Sequence, residues 1–201
     1  MMNKAVIYIH GQGGNAKEAD HYKALFKGCD VVGLDYAAQT PWEAKEEFPV
    51  LLEPICKEHR SVQMVANSIG AYFAMQALAD WPIEQAWFIS PVVNMEKLIT
   101  NMMAWAGVTE KKLREKGEIP TAFGQTLSWE YLCYAREHSV RWDIPTHILY
   151  GEKDTLTSYP TISAFAEQIH ADLTVMKDGE HWFHTPEQMQ FLDDWVRRFL
   201  G

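Results

Sequence analysis

The chain has 201 residues, 47% of them apolar and 22% charged, with a net charge of −9 from 18 basic and 27 acidic side chains. That length and balance describe one soluble globular domain able to bury a core, not a disordered or fibrous chain. The acidic balance, with no basic cluster beyond Lys111-Lys112-Leu113-Arg114, excludes nucleic acid as an expected partner and disfavours strongly anionic ligands. No apolar run approaches the ~20 residues that span a bilayer, so no membrane partner is expected.

The first strand starts almost at once, at Ala5-Val6-Ile7-Tyr8-Ile9. This leaves no room for a signal peptide, and a cytoplasmic location is expected. Cys29, Cys56 and Cys133 are odd in number and lack metal or redox spacing, which fits free thiols in a reducing compartment. Further strand-like runs lie near residues 31–35, 61–66, 86–90, 145–150 and 172–177. They alternate with helical stretches and several are almost continuously apolar. This is the pattern of an α/β fold with a mostly parallel sheet covered by helices on both faces.

Helix starts are well signed. Thr40-Pro41-Trp42-Glu43 reads as a capping box with proline at the first helical position, and Thr185-Pro186-Glu187-Gln188 repeats the pattern. The last helix carries Leu192, Trp195, Val196 and Phe199 at helical spacing, a core-facing stripe. Between residues 91 and 142 the alternation breaks. Here a helix over 94–106 bears Leu98, Met102, Met103 and Trp105; a charged stretch, Glu110 to Glu118, and the aromatic Trp129, Tyr131, Tyr134 and Trp142 follow.

The chemistry concentrates in four short segments. Ala66-Asn67-Ser68-Ile69-Gly70 places a serine between small residues, with a buried strand, Ser61 to Val65, before it and an apolar helix, Ala71 to Ala79, after it. A serine at such a hinge exposes its hydroxyl above the sheet on a turn that demands small neighbours two positions away. Serine is a poor nucleophile at neutral pH and needs a base, for which histidine suits, and the base needs an acid to hold its tautomer. Downstream, a strand and a glycine turn lead to Gly151-Glu152-Lys153-Asp154, and another pair leads to Gly179-Glu180-His181. Ser68 is thus the expected nucleophile, Asp154 the acid and His181 the base. Glu152 and Asp178 are the competitors for the acid, and His184, three residues on, for the base.

The loop after the first strand, His10-Gly11-Gln12-Gly13-Gly14, is rich in glycine, which lets backbone approach a substrate closely. An oxyanion needs such donors. The N–H groups of Gln12 and Ile69 are the candidates, with His10 and Gly11 supporting the loop.

Together these segments resemble the α/β-hydrolase superfamily: HGQGG as oxyanion loop, ANSIG as nucleophile elbow, GEKD with the acid and GEH with the histidine. Ala66 departs from the commoner glycine of the elbow. The resemblance runs from residue 10 to residue 181 and implies an α/β-hydrolase fold with a short helical lid at roughly 91–142. It also implies a serine hydrolase that cleaves an ester, thioester or amide carbonyl without metal or organic cofactor. A serine nucleophile disfavours the haloalkane dehalogenase branch. On a lid helix, Met102, Met103 and Trp105 would line a pocket for an apolar small-molecule acyl substrate, with His184 nearby. His181 and His184 have no third ligand to make a metal site, so no metal is expected. A small-ligand binder with an idle triad, and an acyltransferase or lyase on the same scaffold, are the alternative readings. The sequence carries no sign of oligomeric state.

Overall fold

The computed structural model describes residues 4–200. In chain order the elements are β1 (Lys4–Ile9), α1 (Ala19–Tyr22), β2 (Asp30–Gly33), α2 (Pro41–Glu58), β3 (Ser61–Asn67), α3 (Ile69–Ala77) and β4 (Ile83–Ile89). There follow α4 (Met95–Trp105), α5 (Glu110–Lys116), β5 (Glu118–Pro120), β6 (Thr126–Ser128) and α6 (Trp129–Glu137). The chain closes with β7 (Thr146–Gly151), α7 (Tyr159–Gln168), β8 (Asp172–Met176) and α8 (Pro186–Phe199).

Six strands form one sheet in the order β2-β1-β3-β4-β7-β8, and every neighbouring pair in it is parallel. Parallel strands need helical crossovers, which is why apolar runs alternate with helices along the sequence. Alternate side chains of a strand point to opposite faces. Val6, Tyr8, Val65, Trp87 and Ile89 join Tyr22, Phe26, Leu192, Trp195 and Val196 in one cluster, so α1 and α8 cover that face. Residues of the other parity, Ile7, Ile9 and Met64, are equally buried on the opposite face, where α2 packs on α3.

Two compact units result. One comprises the described residues up to Val93 together with those from Arg141 onward, and the other is Asn94–Val140. The second unit lies inside the 91–142 interval where the strand–helix alternation breaks. Within it α4 packs on α6, β5 and β6 form an antiparallel hairpin, and Arg136 on α6 pairs with Glu96 and Glu110 at 2.8 Å each. Leu113 of α5, inside the charged stretch, is fully buried and gives that helix one core-facing residue.

The helix starts behave as signed, with one correction. Thr40 and Glu43 form the full reciprocal box, and Glu43 also accepts from Gln39 N–H at 2.8 Å; these bonds hold its carboxyl below the usual range. At α8 Thr185 accepts from Gln188 N–H, but the Gln188 amide oxygen reaches one residue further back, to His184 N–H, at 3.1 Å. The second box is therefore open, because Gln188 is used to fasten the loop ahead of the helix.

Candidate active site

The sheet's strand order reverses between β1 and β3: the chain leaves β1 for β2 on one side and returns to β3 on the other. In open parallel sheets, the crevice beyond the strand C-termini at such a reversal is where ligands bind. The glycine loop after β1 and the Ser68 turn after β3 flank this point. A methyl group at Gly11 would stand 3.1 Å from Ser68 Cβ, so the loop lies directly against the serine.

Ser68 has φ 52° and ψ −120°, a conformation that L-residues rarely hold. Its N–H donates to Ile89 O at 3.0 Å, and its carbonyl accepts from Ala71 N–H at 3.2 Å and Val92 N–H at 3.1 Å. Its hydroxyl caps nothing, although Ser68 occupies the N-cap position of α3. Instead Ser68 Oγ meets His181 Nε2 at 2.8 Å. Close packing explains the small neighbours: a Cβ at Gly70 would overlap the His10 carbonyl, and Ala66 is fully buried.

His181 Nδ1 stands 2.7 Å from Asp154 Oδ2. The Asp154 side chain is wholly buried, and its Oδ1 accepts from Leu156 N–H at 2.8 Å and Thr157 N–H at 3.0 Å. A carboxylate can only accept here, so Nδ1 carries a proton and Nε2 presents its lone pair to the serine hydroxyl. An imidazole held in that tautomer can draw a proton from serine as it attacks. The same buried charge, after burial itself, raises the pKa of the neighbouring Tyr150 phenol.

The alternatives fall elsewhere. Glu152 accepts from Asp178 N–H at 3.0 Å, and Asp178 pairs with Lys153 at 2.8 Å, so these three brace the two loops against each other. His184 Nδ1 donates to Trp182 O at 2.7 Å. The loops also touch through backbone: Lys153 N–H donates to Gly179 O at 2.8 Å, and a Cβ at Gly151 would overlap the Glu180 carbonyl.

In the glycine-rich loop after β1, Gly14 N–H donates to Gly11 O at 3.1 Å, closing a turn with Gln12 at its second position. His10 Nδ1 donates to Gly11 O at 2.8 Å, and its ring stacks on Tyr36 with centroids 4.2 Å apart. Tyr36 in turn donates to His10 O at 2.7 Å. Ile69 opens α3 directly after the serine. On α4, in the second unit, Met103 is buried, Met102 half-buried and Trp105 exposed against Phe123.

No protein-family model matches the chain, and no curated protein sequence does. Solved structures match over nearly all of it. Est1E from Butyrivibrio proteoclasticus aligns with a TM-score of 0.75 at 18% identity, covering 98% of this chain and 88% of that one. Alpha/beta hydrolase domain-containing protein 10 from mouse gives 0.76 at 17%, covering 98% and 89%. An alpha-beta serine hydrolase homologue from Coxiella burnetii gives 0.64 at 16%, covering 100% and 86%.

The chain has the α/β-hydrolase fold.

Within that fold, several residues that hold the site carry no sequence signature. Ser90, at φ 44°, donates its N–H to Leu149 O at 2.8 Å, and the next carbonyl, Pro91 O, accepts from the buried Thr157 hydroxyl at 3.2 Å. With Ile89 O and Val92 N–H on Ser68, the segment 89–92 ties the serine turn to the aspartate loop. Its contribution is mostly main-chain, which any residue could supply. Only the proline after a strand end hints at it. Among the described residues, no group of three or more His, Cys, Asp or Glu is placed to hold a metal ion, and no helix is long and apolar enough to cross a membrane.

Proposed function

We propose that the chain is a serine hydrolase of a carboxylic ester or related acyl compound, working through an acyl-enzyme and needing no cofactor. The reading is supported above all by the unbroken series from the Ser68 hydroxyl through His181 to the buried Asp154, at 2.8 and 2.7 Å. Ser68 attacks the carbonyl carbon while His181 Nε2 takes its proton, and Asp154 stabilises the imidazolium that forms. The oxyanion is held by the main-chain N–H groups of Gln12 and Ile69. His181 then gives its proton to the leaving oxygen, and water repeats the sequence on the acyl group.

Labelling with a fluorophosphonate, followed by peptide mass spectrometry, tests this. The expected result is modification at Ser68 that Ser68→Ala abolishes, with hydrolysis of p-nitrophenyl esters falling by about 10⁴ or more. A folded parent protein that takes no label, or takes it elsewhere, would sink the proposal.

A further inference from the structure

Trp182 directly follows His181 and is 68% exposed, an unusual position for the largest apolar side chain. Its ring is nonetheless held. It stacks on the His184 imidazole with centroids 4.4 Å apart and planes 19° from parallel. His184 is fixed by its bond to Trp182 O, and its own N–H is fixed by the buried Gln188. Between them Phe183 turns inward into the core cluster, anchoring the segment from below. One face of the indole is therefore covered by imidazole, and the exposure belongs to the other. The second exposed aromatic of the unit that carries the sheet, Tyr159, opens α7 at the end of the companion loop after Asp154. The other exposed large apolar side chains of that unit among the described residues, Val50, Val175 and Leu200, are aliphatic and lie on other elements.

We propose that Trp182, backed by His184, is a specificity-determining platform for the leaving group, and that the site prefers acyl compounds whose alcohol or amine part is a flat aromatic. This rests on the serine-hydrolase reading above. In that chemistry the imidazole that receives the Ser68 proton must pass one to the leaving oxygen, so the leaving group has to lie beside His181. The residue next to His181 in the chain presents a solvated aromatic face stacked from behind on His184. Burying that face under a second ring removes apolar surface from water and adds a stacking term that a saturated ring of equal size does not gain.

Benzyl acetate and cyclohexylmethyl acetate share an acyl-enzyme and carry a flat and a saturated ring in the leaving group; their intrinsic difference in leaving ability cancels when parent and variant ratios are compared. The parent protein is expected to favour the benzyl ester in kcat/KM. In Trp182→Ala the benzyl-to-cyclohexylmethyl ratio should fall about three- to tenfold, and Trp182→Phe should recover most of it. Where the acetates turn over too slowly, protection of Ser68 from fluorophosphonate by benzyl alcohol against cyclohexylmethanol reads the same ratio. A ratio that Trp182→Ala leaves unchanged, with Ser68 labelled normally, overturns the platform alone. A parent protein that neither takes label at Ser68 nor hydrolyses either ester overturns the serine-hydrolase reading, and the platform falls with it.

Discussion

Ser68 is held in a backbone region that costs a non-glycine residue about 1–3 kcal/mol, and the surrounding structure over-determines it. Three main-chain hydrogen bonds fix its N–H and carbonyl, so the strain cannot relax without unpairing Ile89 or Val92. Ser68→Gly is therefore expected to be more stable than Ser68→Ala by about 1 kcal/mol in thermal or urea unfolding, while both lose the hydroxyl. Equal stabilities would show that the turn is unstrained. The three side chains that meet could be singled out at this scale, because Ser68, Asp154 and His181 each follow an apolar run and, for the last two, a glycine turn. Ser90 could not. Its strained φ serves main-chain bonds, and a main chain leaves no letter in a sequence.

Loops after β7 and β8 act as one piece, laced by Lys153 N–H to Gly179 O, by the Lys153–Asp178 pair and by direct contact of Gly151 with the Glu180 carbonyl. Gly151→Ala must drive those backbones apart. The expected outcome is a stability loss of about 1–3 kcal/mol, together with a fall of about a hundredfold in the rate of Ser68 labelling as His181 leaves its position. Unchanged labelling kinetics in a folded variant would show that the loops are independent. Elements framed by the strand–helix alternation were legible, and the shortest ones outside it were not. All six strands of the main sheet, β2 and β8 included, read as strands, although β4 begins three residues earlier than its most apolar part suggests. Within α2, Pro49 and Pro54 interrupt the donor series, yet the helix runs on because Ala44, Phe48 and Leu52 keep one buried face. By contrast α1 spans a single turn, and α7 offers only Ile162, Phe165 and Ala166 as a periodic core face. The strands β5 and β6 have three residues each, too few for alternation to show.

Across the whole molecule, the parallel character of the sheet followed from alternation, but its order did not, since crossovers of similar length permit several neighbours. The order puts His147 toward the start of β7, at the sheet end away from Ser68, beside Asp172 at 3.0 Å and Gln85 at 2.5 Å and under the Phe199 ring. Burial lowers its pKa by more than Asp172 raises it. The unfolded chain, with histidine near ~6.5, then binds more protons than the fold as the pH drops. Stability from this site is present above ~6.5 and lost as the pH falls through the folded value. His147→Gln should thus unfold with a shallower dependence on pH below ~6.5 than the parent protein in urea titrations, and identical slopes would refute this. The same strand order sets a sequence of events during synthesis. Chains are made from the N-terminus, at about 5–20 residues per second, and β2, β1, β3 and β4 can pair before β7 and β8 exist. A nascent chain of that length carries its serine but neither the aspartate nor the imidazole that would arm it. On the proposed mechanism the nucleophile is switched on by completion of the polypeptide, so an unfinished or truncated copy would be chemically silent rather than merely less stable.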